Sequence, residues 1–369
     1  MKKNFFKGAA LAALVFAGFS ATAQEESKGI ELSGSVDAYF KANANADQQV
    51  APGTSFANQA GFALGMVNLI ASKQAGKVGF VADLVFGPRG GDAVFGSGYD
   101  ADGDDVNDAS NASTFVNQLF VTYDVSDAVT LTFGNFNTYL GYEVISPTGN
   151  FNYSTSYMFS YGPFSHTGLK ADFAIDDNWS VMASVMNPTD VTEFNPSQQY
   201  TGGLQLGYTN DSGSAYLNFL YGEQSRGAEG TFQVDLTTGW DVAEDFYLGL
   251  NTTYNTTDKA GNDKNGVSEA GFYGVALYPQ YSFSDTFALG LRAEYFSEFG
   301  GEIEAIGDVF DDNGDADVFA TTLTGSISIG SLTIKPELRL DAASEKVYTN
   351  ENKNEKSLFS GVLGAVYSF

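Results

Sequence analysis

The sequence predicts an all-β fold: a transmembrane, antiparallel up-and-down β-barrel of about sixteen strands, with short periplasmic turns and long extracellular loops. Three observations predict it. Apolar residues recur at every second position through most of the chain, the connections alternate between short and long, and an export signal stands at the N-terminus. Successive side chains of a strand point to opposite faces, so a lipid-facing strand must alternate in this way.

The export signal comes first. Lys2, Lys3 and Lys7 flank an apolar run that ends near Phe19, and Ala21-Thr22-Ala23 fits a small-x-small cleavage site. Residues 1–23 therefore read as a signal peptide and 24–369 as the barrel domain. The apolar run is too short for a spanning helix, which needs about 20 residues. Composition narrows the chemistry further. Forty-five acids against 18 bases give a net charge of −27, with one His and no Cys. Disulfides, thiolate metal sites and a Cys nucleophile are excluded. The acidity argues against nucleic acid as a partner.

Strands are expected at about 30–42, 60–72, 77–87, 114–124, 128–137, 165–175, 179–187 and 201–209, then at 214–222, 230–240, 245–256, 269–283, 286–297, 317–329, 332–341 and 356–369. The segment 332–341 shows the pattern plainly. Leu332, Ile334, Pro336, Leu338 and Leu340 share one face; Thr333, Lys335, Glu337, Arg339 and Asp341 share the other. Elsewhere the second face is rich in Gly, Ser, Thr and Asn, as a water-filled lumen requires. Short links such as Gln74-Ala75-Gly76, Asp176-Asp177-Asn178 and Asp211-Ser212-Gly213 carry the residues that tolerate tight hairpin turns. Long links include 88–113, 138–164, 188–200, 257–268, 298–316 and 342–355. Short turns at one rim and long loops at the other is the outer-membrane arrangement. Pro279 and Pro336 fit poorly, because a closed barrel has no free edge for a missing N–H. Bulges or displaced strand ends are expected there.

The last strand alternates up to Phe369. A terminal aromatic on the lipid face resembles the signature by which bacterial barrels meet their assembly machinery. Between residues 133 and 173 the resemblance sharpens. Phe133-Gly134-Asn135-Phe136-Asn137-Thr138, then Gly141-Tyr142-Glu143, Asn152-Tyr153-Ser154, Pro163 and His166-Thr167-Gly168 are similar to the OmpL-like β-barrel porin family. With the leader and the alternating remainder, the resemblance spans essentially the whole chain. It implies passive diffusion of small hydrophilic solutes, a cell outer-membrane location, and membrane lipid and lipopolysaccharide as surroundings. It implies no substrate. Assembly into a homo-oligomer is compatible with it, and a non-conducting structural or surface-interaction barrel is the competing class. The family's basic residue after Asn-Tyr-Ser is replaced here by Thr155.

Candidate site residues follow from the inward face. Asp37, Lys41, Asp83, Lys170, Asp172, Arg292, Glu294, Lys335, Glu337 and Arg339 are expected to line the lumen with mixed charge, and mixed signs across a wall order water in a channel. The 138–164 loop holds eight aromatics and a single charge, Glu143. A freely solvated loop has no need of eight aromatics, so it is expected to fold into the lumen with Glu143 and Tyr153 at its narrowest point. No catalytic residue and no cofactor is expected; a Ser165–His166 pair lacks any activating pattern. Two acidic loops, around Asp100, Asp102 and Asp104 and around Asp311, Asn313 and Asp315, resemble calcium-loop spacing. Neither completes the twelve-residue pattern with a terminal Glu, which favours solvated loops over bound calcium. With acids concentrated in the loops and a mixed lumen, weak cation selectivity is expected.

Overall fold

The computed structural model describes residues 29–94, 114–193, 195, 197–224, 230–258, 269–301, 303–351 and 353–369. The leader and the Asp100, Asp102 and Asp104 loop lie outside these residues. Among them, sixteen strands close into one antiparallel barrel in which every strand pairs with its sequence neighbours and the first pairs with the last. They are β1 Glu31–Asn43, β2 Gly61–Ala75, β3 Val78–Phe86, β4 Val116–Ser126, β5 Val129–Asn137, β6 Ser165–Ala174, β7 Trp179–Met186 and β8 Thr201–Asn210. The second half comprises β9 Gly213–Gly222, β10 Thr231–Ala243, β11 Phe246–Asp258, β12 Glu269–Ser284, β13 Phe287–Phe299, β14 Ala316–Ile329, β15 Leu332–Ala343 and β16 Ser357–Ser368. All strand ends fall within three residues of those expected from alternation.

Closure runs from Ser35↔Ser368 to Asn43↔Ser360, and the backbones of Gly34 and Phe369 exchange hydrogen bonds of 3.0 Å beyond it. No sheet edge is left to expose unpaired N–H and C=O groups, which hydrocarbon would penalise. The two strand prolines are accommodated without bulges. The β12–β13 ladder steps from Leu277↔Ala293 to Gln280↔Gly290, and the β14–β15 ladder from Thr324↔Glu337 to Ile327↔Ile334. Each proline thus sits where pairing opens on one side only, while its other neighbour strand stays in register.

Outward residues form an apolar belt with aromatic borders. Trp179, Tyr281, Phe283, Phe287 and Tyr367 mark the short-turn rim; Phe62, Phe86, Tyr221, Tyr273 and Phe319 mark the other. No helix of the described residues is long and apolar enough to cross a membrane. The turns are locally built. Asp176 accepts hydrogen bonds from the backbone N–H groups of Asn178 and Trp179, which hold its carboxyl below the usual range.

The buried core lies inside the barrel. Loops from the long-loop rim fold into its upper half and form apolar clusters with the inner wall: Tyr157, Met158, Phe296, Ala305 and Tyr348 in one, and Phe56, Met66, Val85, Phe159 and Phe164 in another. Two short helices, α1 Pro88–Ala93 and α2 Tyr157–Tyr161, belong to these loops.

Candidate functional site

The third long loop, 138–164 (L3), leaves β5 and crosses the lumen to the wall formed by β13–β16 and β1, half a turn around the ring. Its course can be followed through its hydrogen bonds. Thr138 starts it, with Oγ1 3.0 Å from His166 Nε2 and accepting from Leu140 N. Tyr139 donates to the carbonyl of Phe219 on β9 at 2.8 Å. Gly141, in the left-handed region at φ 87°, donates to Asp235 Oδ1 on β10 at 3.0 Å. Tyr142 stacks on Tyr278 of β12, with centroids 4.0 Å apart.

At the far wall the loop meets a charge cluster. Glu143 Oε1 accepts from Arg292 Nη1 at 2.6 Å, and its other oxygen accepts from Ser156 N at 2.7 Å. Arg292 also donates to the Ser154 carbonyl at 2.6 Å. Glu337 accepts from the N–H of Tyr153 at 2.8 Å and from the hydroxyl of Ser154. Lys335 donates to the carbonyls of Pro147 and Asn150, at 2.8 and 2.5 Å. Glu294 receives the N–H groups of Tyr157 and Met158, at 3.0 and 2.9 Å, capping α2 together with the Ser156 hydroxyl. Arg339 donates to the Thr155 carbonyl at 2.8 Å while gripping Asp341 through Nε and Nη2. Tyr153 donates to Asp37 on β1. Its carbonyl accepts from Arg89 of α1, whose guanidinium lies 4.4 Å from the Phe56 ring centroid and 4.7 Å from that of Tyr153.

Arg292, Glu294, Arg339 and Asp341 are at most 1% exposed. Burying so many charges is tolerable only because each is paired or bonded to backbone. Backbone carbonyls of L3 satisfy the cations and its N–H groups satisfy the carboxylates, so the loop supplies both halves of the wall's needs.

The small inner face has a use that its composition did not suggest. By itself, a small polar inner face reads as a water-filled lumen. Instead L3 brings the bulk. The inward glycines are recesses for its side chains: Gly203 for Tyr139, Gly249 for Tyr142, Gly290 for Phe151 and Gly364 for Tyr153. In each recess a Cβ would overlap the ring or hydroxyl seated there.

Of the expected site residues, Asp37, Glu143, Tyr153, Arg292, Glu294, Lys335, Glu337 and Arg339 come together around L3. Four stand apart. Lys41 holds the first loop through the Val50 carbonyl at 3.0 Å. Asp83 is surrounded by the amides of Asn68, Asn117 and Gln118. Lys170 and Asp172 pair with each other at 3.3 Å on β6. Arg89, Asp235 and Asp341 belong to the site but were not expected there; the last two lie on inward faces that the alternation marks. His166 is fully buried beside Phe136 and Tyr139, a loop anchor at the start of L3. In the acidic loop around Asp311, the N–H groups of Asn313 and Asp315 bond Asp311 Oδ1 at 2.8 and 3.0 Å and hold its carboxyl low. Among the described residues, no group of three or more acidic or His side chains converges as a metal site.

Comparison with known proteins agrees with this architecture. Residues 29–369 match the family model described as Putative beta-barrel porin-2, OmpL-like. No curated protein matches the chain. Among solved structures, the trimer form of OmpT, an outer membrane protein of Vibrio cholerae, is 12% identical with a TM-score of 0.58, covering 93% of this chain and 100% of that one. The outer membrane channel DcaP of Acinetobacter baumannii is 14% identical at TM-score 0.58, covering 96% and 100%. An anion-selective porin from Comamonas acidovorans is 14% identical at 0.58, covering 92% and 99%. A porin-family match over the whole barrel, with its apolar and aromatic-bordered exterior, places the protein in the outer membrane. The chain belongs to the OmpL-like β-barrel porin family.

Proposed function

We propose that the protein is a porin with a narrow passage, allowing passive diffusion of small hydrophilic solutes with weak cation selectivity. The observation that carries this reading is L3, which crosses a sixteen-strand lumen and is fastened on the far side by Glu143, Arg292, Glu294 and Glu337. A barrel of this strand number encloses an aqueous space, and a loop fixed across it sets the width. The clamp holds the bases Arg89, Arg292, Lys335 and Arg339 against the acids Asp37, Glu143, Glu294, Glu337 and Asp341, so the interior contributes little net sign. Acid-rich loops at the mouth supply the cation preference. Exposed charges act over about 10 Å at 0.1 M salt and about 3 Å at 1 M, so the preference fades as salt rises.

By the same reading, Phe369, just past the end of the closing strand, is the contact for barrel assembly, and lipopolysaccharide surrounds the long-loop rim. A homo-oligomer is compatible with the exposed apolar outer face of the barrel. A second reading, a non-conducting barrel, draws support from the apolar clusters beneath the loops. Planar-bilayer recording of refolded protein separates the two: discrete conductance steps support the porin, and a folded but silent barrel supports the alternative.

A further inference from the structure

A second polar feature lies on the long-loop side, away from the β13–β16 clamp. Between the returning end of L3 and the inner wall of β9, β10 and β11 is a recess of about 80 Å³ bordered by Thr189, Asp190, Gln224, Thr231, Gln233 and Asn255. That volume holds several waters.

Asp190 is set rigidly at its edge. Its backbone is left-handed at φ 64°, and its N–H donates to the Ser165 carbonyl at 3.0 Å. Carboxylate Oδ1 accepts from Phe164 N and Ser165 N at 2.7 and 2.8 Å. Both donors use the same oxygen. Among the described residues, none donates to Oδ2, and no basic side chain pairs with the carboxylate.

The neighbouring amides are tied to one another and to threonine hydroxyls. Asn255 Nδ2 donates to Gln233 Oε1 at 3.2 Å, and Gln233 Nε2 donates to Thr253 Oγ1 at 3.1 Å. Gln224 Nε2 donates to Thr201 Oγ1 at 3.2 Å. Among the described residues, no donor is bonded to Asn255 Oδ1 or to Asp190 Oδ2, which leaves free acceptor capacity beside a carboxylate. Asp190 is only partly exposed, and a carboxylate partly withdrawn from water gains from a nearby cation. A single carboxylate is too little for calcium, which takes six to eight oxygens and usually several acidic ligands.

We propose that this recess is a monovalent-cation site, taking an alkali ion or the primary ammonium group of a solute, with Asp190 as its charge. The proposal deepens the cation-selective porin reading and rests on it for its role in transport, but binding itself can be measured without conduction.

The test is sodium-23 NMR line broadening with the refolded full-length barrel in detergent at fixed ionic strength. Wild type should broaden the sodium line, and added potassium or ethylammonium should each narrow it; narrowing by only one identifies which cation the recess prefers. Asp190→Asn keeps the Oδ1 acceptor and so the pins to L3, and should remove at least half of the excess width. Asp311→Asn, in an exposed turn, should leave it unchanged. Asn255→Ala, which leaves the Asp190 pins untouched, should weaken sodium binding several-fold and serves if the first variant does not fold. Equal broadening by wild type, Asp190→Asn and Asn255→Ala would overturn the proposal. A barrel that binds sodium through Asp190 yet conducts nothing would retain the site and refute the porin reading alone.

Discussion

Glu143 Oε1 lies 2.6 Å from Arg292 Nη1, joining the only charged side chain of L3 to a wall residue 149 positions later in the chain. Neither side chain is more than 3% exposed. Removing one partner of a buried pair strands the other, at a cost of about 3–5 kcal/mol. Glu143→Gln should therefore unseat the middle of L3 and raise single-channel conductance. Reversing both charges, Glu143→Arg with Arg292→Glu, should recover less than full seating, because Ser154 and Ser156 are placed for the native polarity.

The glycine recesses give an independent handle on the same loop. Gly364→Val places side-chain atoms where the Tyr153 ring packs, and overpacking of this kind costs about 1–3 kcal/mol. Tyr153 should be displaced, and proteolysis within 148–158 should become faster. Gly361→Ala, on the same strand where a Cβ would come no nearer to a neighbour than Leu338 Cδ2 at 3.9 Å, should leave L3 protected.

Acidity should act on Asp190. Burial pushes its carboxyl up to about 6, opposed by the hydrogen bonds from Ser165 and Phe164. Among the described residues, Tyr161 is the other titratable group bordering the recess, and it stays neutral through this range, its pKa raised to about 12 by burial and by Glu298. The folded value lies above the ordinary value near 4, so the folded form gains stability as pH falls through 6 and has the full gain below 4. After allowance for solvent screening this amounts to about 1 kcal/mol. Unfolding midpoints should show wild type gaining on Asp190→Asn between pH 7.5 and 5. A gain in the opposite direction contradicts the assignment.

Selectivity should depend on salt. Reversal potentials in a KCl gradient should show cation preference near 0.1 M that fades toward 1 M, because the charges responsible are exposed and screened. A preference that persists at 1 M would move its origin from the mouth to the buried clamp.

Much of this was legible in the sequence for a physical reason. A barrel strand alternates because one face meets lipid, so Leu332 to Asp341 declares its register without help from distant residues. L3 was legible as well, since eight aromatics with one charge do not suit a solvated loop. The partners were not. Glu337 receives Tyr153 N from 184 residues away, and the period-two pattern carries no information on which inward residues a loop will reach. The inward glycines misled most. A small inner face looks the same whether water or a tyrosine fills it, and only the crossing of L3 distinguishes Gly364 as a recess. Asp190 was hidden because its role depends on a left-handed backbone within a long loop.

The central claim is that L3, clamped to β13–β16, sets the width of a conducting barrel. The most direct measurement is single-channel conductance of refolded wild type and of a variant lacking residues 148–158, each checked for the folded barrel by its electrophoretic mobility before and after heating. Wild type should show small, discrete steps and the deletion distinctly larger ones. Equal conductance in two folded proteins, or silence from both, would contradict it.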